Sequence, residues 1–258
     1  MIDVVGFTKR YGSRTILDRI ELAVEPGTTL VVVGGSGCGK STLLRHVAGI
    51  EGPDTGEIQG RIRVGDHADI TRTSEAELYR TKVRGPFIGL QFQAGALFDT
   101  LSVYENIAWP LRENTRLDRV EIRVRIEEVV EMVEMQHVPG VLDKRPAELS
   151  GGQQRRIALA RALALQPRVM LYDEPTAGLD PPVAAGIGRL IRRLQDERRL
   201  TAMVATHDMI LARLTADRLA MMRDGRIVFH GRLDEAMRDA QVRDFMQGGS
   251  GDDAQQSS

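Results

Sequence analysis

One run of residues, Gly34-Gly35-Ser36-Gly37-Cys38-Gly39-Lys40-Ser41-Thr42, has the composition and spacing to hold a polyphosphate. It fits G-x-x-x-x-G-K-[ST]. Glycines let the backbone turn tightly enough for successive N–H groups to converge on phosphate oxygens, and the N-terminus of a following helix adds a favourable field. Lys40 can reach the β and γ phosphates as a point charge, and the Ser41 hydroxyl is suited to ligate Mg²⁺. ATP or GTP is the implied ligand. Cys38 occupies a variable position of the pattern and reads as a small loop residue. A second group is the acidic pair Asp173-Glu174, which follows the apolar run Val169-Met170-Leu171-Tyr172. Asp173 is suited to hold Mg²⁺, directly or through water. Glu174 is suited to polarise the water that attacks the γ phosphate in line. His207 follows the apolar stretch 201–206 and precedes Asp208. It is placed to hydrogen-bond the γ phosphate or the attacking water.

These groups work together only if the chain delivers them to one edge. Short runs rich in valine and isoleucine alternate with longer amphipathic stretches, the pattern of a sheet flanked by helices, so the fold class is α/β. Leu30-Val31-Val32-Val33 before the glycine run and the apolar stretch 43–48 after it read as strand, loop and helix. Ligands of open α/β sheets bind at the carboxyl ends of the strands, where Asp173, Glu174 and His207 also fall. Residues 2–8, 16–24 and 56–64 read as extra strands, separated by Tyr11-Gly12, Pro26-Gly27 and Gly52-Pro53, and suggest an antiparallel flank on a parallel core. Residues 103–165 read as a helical subdomain. Within it Val120, Val124, Ile126, Val129, Val130 and Val133 fit a helical stripe. After Pro167 the alternation resumes, with strands at 169–172 and 201–205 around a helix at 183–198. A helical end is expected at 233–247, and the polar stretch 248–258 reads as a disordered tail.

At 258 residues the chain suits one large domain or a core with a subdomain. Lysine plus arginine number 35 against 36 aspartate plus glutamate, a net charge of −1, which points away from a nucleic-acid partner. The single cysteine leaves no intrachain disulfide framework and no thiol zinc cluster. The apolar runs are far shorter than the roughly 18 residues of a bilayer span, so contact with a membrane is expected to go through a partner. The N-terminal stretch lacks a basic region followed by an apolar run, so synthesis is expected to end in the cytoplasm.

Leu149-Ser150-Gly151-Gly152-Gln153, followed by Gln154-Arg155-Arg156, resembles the signature motif of the ATP-binding-cassette family. The family's other elements stand in its order: Tyr11, the glycine run, Gln93 in Ile88-Gly89-Leu90-Gln91-Phe92-Gln93, the signature, Asp173-Glu174, Ala177-Gly178-Leu179-Asp180, and His207. The resemblance spans about residues 1 to 235. It implies a P-loop NTPase, RecA-like core of residues 1–102 and 166–235, with the helical subdomain between. It also implies that Tyr11 stacks on adenine, that Gln93 touches Mg²⁺ and senses the membrane partner, that Glu174 is the base and that His207 is the switch. Asp180 falls among the ATP-binding residues. Ser150, Gly151, Gly152 and Gln153 would bind the γ phosphate of ATP held by a second subunit, so one copy of each motif implies a homodimer with two shared sites.

The stretch Phe92-Gln93-Ala94-Gly95-Ala96-Leu97-Phe98, with Val103-Tyr104-Glu105-Asn106-Ile107-Ala108-Trp109-Pro110-Leu111-Arg112-Glu113, resembles the MlaF-type ATPases of bacterial Mla/Mce phospholipid transport. That resemblance implies a permease dimer in the inner membrane, a membrane-anchored Mce-domain lipid-binding protein, and a small STAS-domain regulator docked on the ATPase. Three alternatives stay open: an importer ATPase for polar amino acids, which shares every ATP motif, a soluble iron–sulfur assembly ATPase, and a P-loop small-molecule kinase. The last would have no use for the signature.

Overall fold

A computed structural model describes residues 1–52, 55–67, 69–80, 87–93 and 95–246. Ala94 and the expected tail at 248–258 lie outside the described residues. In chain order the elements are β1 (Ile2–Tyr11), β2 (Arg14–Val24), β3 (Thr29–Val33), α1 (Lys40–Val47), β4 (Glu57–Val64), α2 (Glu75–Arg80) and β5 (Ile88–Gln91). Next come α3 (Val103–Asn114), α4 (Arg119–Met132), α5 (Gly151–Leu163), β6 (Val169–Asp173) and α6 (Pro181–Arg198). The chain continues with β7 (Thr201–Thr206), α7 (Met209–Thr215), β8 (Arg218–Arg223), β9 (Arg226–Arg232), α8 (Leu233–Ala236) and α9 (Ala240–Met246).

A six-stranded sheet runs β5-β6-β7-β3-β8-β9. Its first five strands are parallel, and β9 returns antiparallel from β8. Because both faces of this sheet are covered, its strands carry no polar alternation, and β3, β6 and β7 are buried throughout. Successive residues feed opposite cores. Val31, Val33, Met170, Tyr172 and Val204 pack with helices α3 to α7 on one side. Leu30, Val32, Leu171, Met203 and Ala205 pack on the other with α1 and with the antiparallel sheet β2-β1-β4. Each fully buried aliphatic side chain contributes roughly 1.5–3 kcal/mol, so the interdigitation of strands β3, β6 and β7 fixes the ends from which the site projects.

The helices between β5 and β6 start where polar side chains satisfy their first N–H groups. Ser102 with Glu105, Asp118 with Glu121 and Ser150 with Gln153 form reciprocal capping boxes on α3, α4 and α5. Helix α4 forms over the expected stretch, but its buried stripe is phased differently. Ile122, Ile126, Val129 and Val130 face the core, whereas Val120 and Val124 are 71% and 50% exposed. On the buried side Arg125 also turns inward, its guanidinium donating to the carbonyls of Leu163 (2.9 Å) and Ala164 (2.9 Å) at the end of α5. No helix among the described residues is long and apolar enough to cross a membrane.

Candidate active site

The glycine run lies between the end of β3 and the start of α1, as its sequence predicts. Gly34 packs so closely on β8 that a side chain there would collide with the Met222 carbonyl. Gly39 has φ +111° and N-caps α1 with no side-chain cap, so the first N–H groups of that helix keep no side-chain acceptor of their own. Lys40 is buried, and its Nζ donates to the carbonyls of Gly34 (2.8 Å) and Gly35 (3.0 Å), curling the loop around the ammonium. From behind, the Gly225 N–H donates to the Cys38 carbonyl (3.1 Å), and the Gly225 carbonyl accepts from Asp18 N–H (2.8 Å). Burial pushes the Cys38 thiol up, against the smaller pull of Lys40, which makes it an unreactive filler of the loop.

The acidic pair and the histidine meet this loop. Ser41 Oγ donates to Asp173 Oδ1 at 2.7 Å, and Lys40 Nζ lies 3.6 Å from Glu174 Oε1. Glu174 Oε2 accepts from Thr206 Oγ1 (3.1 Å) and from His207 N–H (3.3 Å), and it lies 3.0 Å from His207 Nδ1. Facing a carboxylate, Nδ1 carries the ring proton and leaves Nε2 outward. Burial holds the Asp173 carboxyl above its usual range, with the Ser41 hydrogen bond pulling the other way. Glu174 has φ +45°, a strained value for a side-chain-bearing residue, held by its own N–H bond to the Ala205 carbonyl (2.8 Å). Strain of this kind concentrates where a side chain must be aimed.

The remaining expected residues stand apart from this cluster. Tyr11 is 38% exposed at the end of β1, its hydroxyl bonded to Glu51 and its ring 4.9 Å from Lys9 Nζ. Partial burial and the Glu51 bond push the phenol up to about 12. Gln93 is exposed in the turn after β5. Ser150 is exposed, with its Oγ accepting from Gln153 N–H and its N–H donating to Gln153 Oε1 (2.9 Å). Asp180 caps α6 through Val183 N–H (3.1 Å). Among the described residues, no hydrogen bond joins Tyr11, Gln93, the Ser150–Gln153 segment or Asp180 to the phosphate loop.

Against known families, the profile described as ABC transporter matches residues 17–177. The chain belongs to the ABC transporter family. Among curated ABC relatives, the sulfate/thiosulfate import ATP-binding protein CysA of Bordetella parapertussis is 40% identical over 227 residues, 88% of this chain and 60% of that protein. The chain thus spans about 60% of the length of that relative. The intermembrane phospholipid transport system ATP-binding protein MlaF of Haemophilus influenzae is 36% identical over 252 residues, 97% of this chain and 91% of that protein. Among solved structures, the dimeric post-hydrolysis state of the ATP-binding cassette MJ0796 bound to ADP and Pi has a TM-score of 0.79 and 31% identity, covering 90% of this chain and 99% of that one.

Two residues make bonds around this site that no motif announces. Thr206 is apolar in context, the last residue of a buried strand, yet its hydroxyl grips Glu174. Arg155 was read as part of the signature stretch, yet it donates to the Ala177 carbonyl (3.0 Å), while Gln91 Nε2 donates to the Arg155 carbonyl (3.2 Å). Threonine at a strand end and arginine in a helix are too ordinary in sequence to announce such bonds.

Proposed function

We propose that this chain hydrolyses ATP as one half of a homodimer on the cytoplasmic face of the inner membrane and drives a separate permease dimer. The observation that carries the reading is the continuous linkage Ser41–Asp173 and Lys40–Glu174–His207 at one sheet edge. In this reading residues 1–102 and 166–235 form the RecA-like core, residues 103–165 the helical subdomain and residues 233–247 the helical end. Residues 34–42 wrap the phosphates, Lys40 neutralises the β and γ oxygens, and Tyr11 offers its exposed ring to adenine. Glu174 Oε2 is engaged by Thr206 and His207, so Oε1, whose neighbour is the Lys40 ammonium at 3.6 Å, is the oxygen that takes the proton of the attacking water once Lys40 turns to the phosphates. His207 Nε2 then faces the γ phosphate.

The donor chemistry fits Mg²⁺: a hydroxyl and a carboxylate, both hard oxygens, sit 2.7 Å apart in Ser41 and Asp173, with Gln93 as a further oxygen donor. When bound, Mg²⁺ would neutralise charge gathering on the phosphates. Ser150, Gly151, Gly152, Gln153 and Asp180 would complete the site held by the other protomer. ATP then favours the closed dimer, and loss of the γ phosphate releases it. Glu174→Gln is expected to keep ATP binding, to accumulate as a dimer in gel filtration with ATP, and to lose ~100-fold or more of turnover. Hydrolysis at the parental rate would mean that Glu174 is not the base.

Phospholipid is the cargo class we favour, with a Mce-domain lipid-binding protein and a STAS-domain regulator as further partners. The alignment with MlaF through 252 residues supports it. Import of sulfate or thiosulfate is the second reading, supported by 40% identity to CysA over 227 residues. Stimulation of the permease-bound ATPase by phospholipid vesicles supports the first, whereas stimulation by sulfate with a solute-binding protein supports the second.

A further inference from the structure

Helix α5 begins at Ser150 and carries Arg161 near its other end. Arg161 Nη1 donates to the Ala96 carbonyl (2.8 Å) and Nη2 to the Gly95 carbonyl (3.0 Å). Those two residues are both left-handed, with φ +75° at Gly95 and +48° at Ala96, so their carbonyls are presented together to one planar fork. Gly95 N–H in turn closes a bond to the Phe92 carbonyl (2.8 Å), and Gln93 lies between them. The backbone at Gly95 lies flat on α5, where an added Cβ would touch Ala158 at 3.4 Å. Arg161 also lies over the Phe98 ring, 5.8 Å from its centroid. Phe98 is held from the far side by Asn106, whose side chain accepts from its N–H (2.8 Å) and donates to its carbonyl (3.1 Å). Among the described residues, no carboxylate pairs with Arg161. Its charge is spent on backbone carbonyls and a ring face.

We propose that Arg161 is a positioning residue that makes the turn bearing Gln93 one rigid piece with the signature helix. The inference rests on the dimer reading above and deepens it. In one protomer Gln93 would attend that protomer's own ATP, and Ser150 would attend the ATP of its twin. A fixed connection between them passes the state of one site to the other through a helix rather than through solvent. Arg155, bonded to the Ala177 carbonyl on the way to Asp180, ties the same helix to a third motif.

The sole tryptophan, Trp109, reports on this region, because its ring lies tilted against Phe98 with centroids 5.7 Å apart. In the parental protein ATP is expected to change Trp109 emission, and hydrolysis is expected to rise steeply with ATP. Arg161→Ala should bind a fluorescent ATP analogue as the parent does, lose the Trp109 response, and lose both the steepness and ~10-fold of turnover. Arg161→Lys, which keeps the charge but lacks the planar two-armed fork and the flat face laid over Phe98, should fall between and guards against an Ala variant that fails to fold. A parental emission that ignores ATP overturns the proposal. Parental steepness, turnover and emission in Arg161→Lys and in any folded Arg161→Ala overturn it too. A parental enzyme whose turnover per chain is independent of protein concentration instead removes the dimer reading itself.

Discussion

Two helix N-termini, both anion sites in the reading proposed above, are left in opposite conditions. At α1 the N-cap is a glycine, no side chain competes for the first N–H groups, and Lys40 is buried within the loop's own carbonyls. At α5 the N-cap Ser150 is exposed, and its hydroxyl and N–H are both committed to Gln153. A phosphate meets ready donors at α1. At α5 it must displace a cap worth about 1 kcal/mol. In that reading the first terminus would hold nucleotide unaided, and the second would engage only when a strongly charged group is pressed against it by another surface.

Breaking the ready half has the largest expected effect. Lys40→Ala should weaken ATP binding by ~100-fold or more, read by calorimetry, because it removes the only ammonium in the loop and leaves Glu174 without its cation. Mixing then separates the two halves. Lys40→Ala and Ser150→Phe chains are each expected to be inactive alone. Combined in equal amounts, they should recover up to about a quarter of parental turnover, since half of the dimers are mixed and one of their two sites is intact, and less to the extent that the sites are coupled. No recovery, together with no mixed dimer in gel filtration with ATP, would mean that the two termini do not meet across a dimer.

A second variant pair sharpens the contrast between capping and function. Ser102→Ala on α3 and Ser150→Ala on α5 remove equivalent caps, so each should cost about 1 kcal/mol in denaturant unfolding. Only Ser150→Ala should lower turnover. The smallest effect concerns how α5 is braced. Glu134, half exposed, pairs with Arg156 of α5 (2.7 Å) and Arg193 of α6 (2.7 Å), and the Arg156 hydrogen bond holds its carboxyl below the usual glutamate range. A depressed carboxyl stabilises the fold above its unfolded pKa, and that gain is lost as pH falls through the folded value. Glu134→Gln should thus cost about 0.5 kcal/mol at pH 7, with the difference from the parent vanishing as unfolding is measured toward pH 3.

The chemistry of the ready half was legible in the sequence because each residue there has a distinctive type at a fixed spacing. The strands around it were legible too, since a sheet covered on both faces leaves unbroken apolar runs such as residues 30–33 and 169–172. What escaped was set by neighbours distant in the chain. Periodicity placed Val120 and Val124 in the stripe of α4, but both face solvent while the charged Arg125 turns in to the end of α5. In sequence Arg161 is one more charge on a helix, and only the left-handed pair opposite it reveals its bonds. The β8–β9 pair was legible and overlooked: Asp224-Gly225, both at positive φ between the paired Arg223 and Arg226, is a two-residue hairpin bend.

That bend touches the back of the phosphate loop, with Gly225 bridging the Cys38 carbonyl and the Asp18 N–H. A protease nick, an inserted epitope or a permuted chain end at Asp224-Gly225 would look harmless on the map of motifs. It would nonetheless unseat the floor on which the triphosphate rests, and the enzyme would lose its grip on fuel with every motif residue still in place.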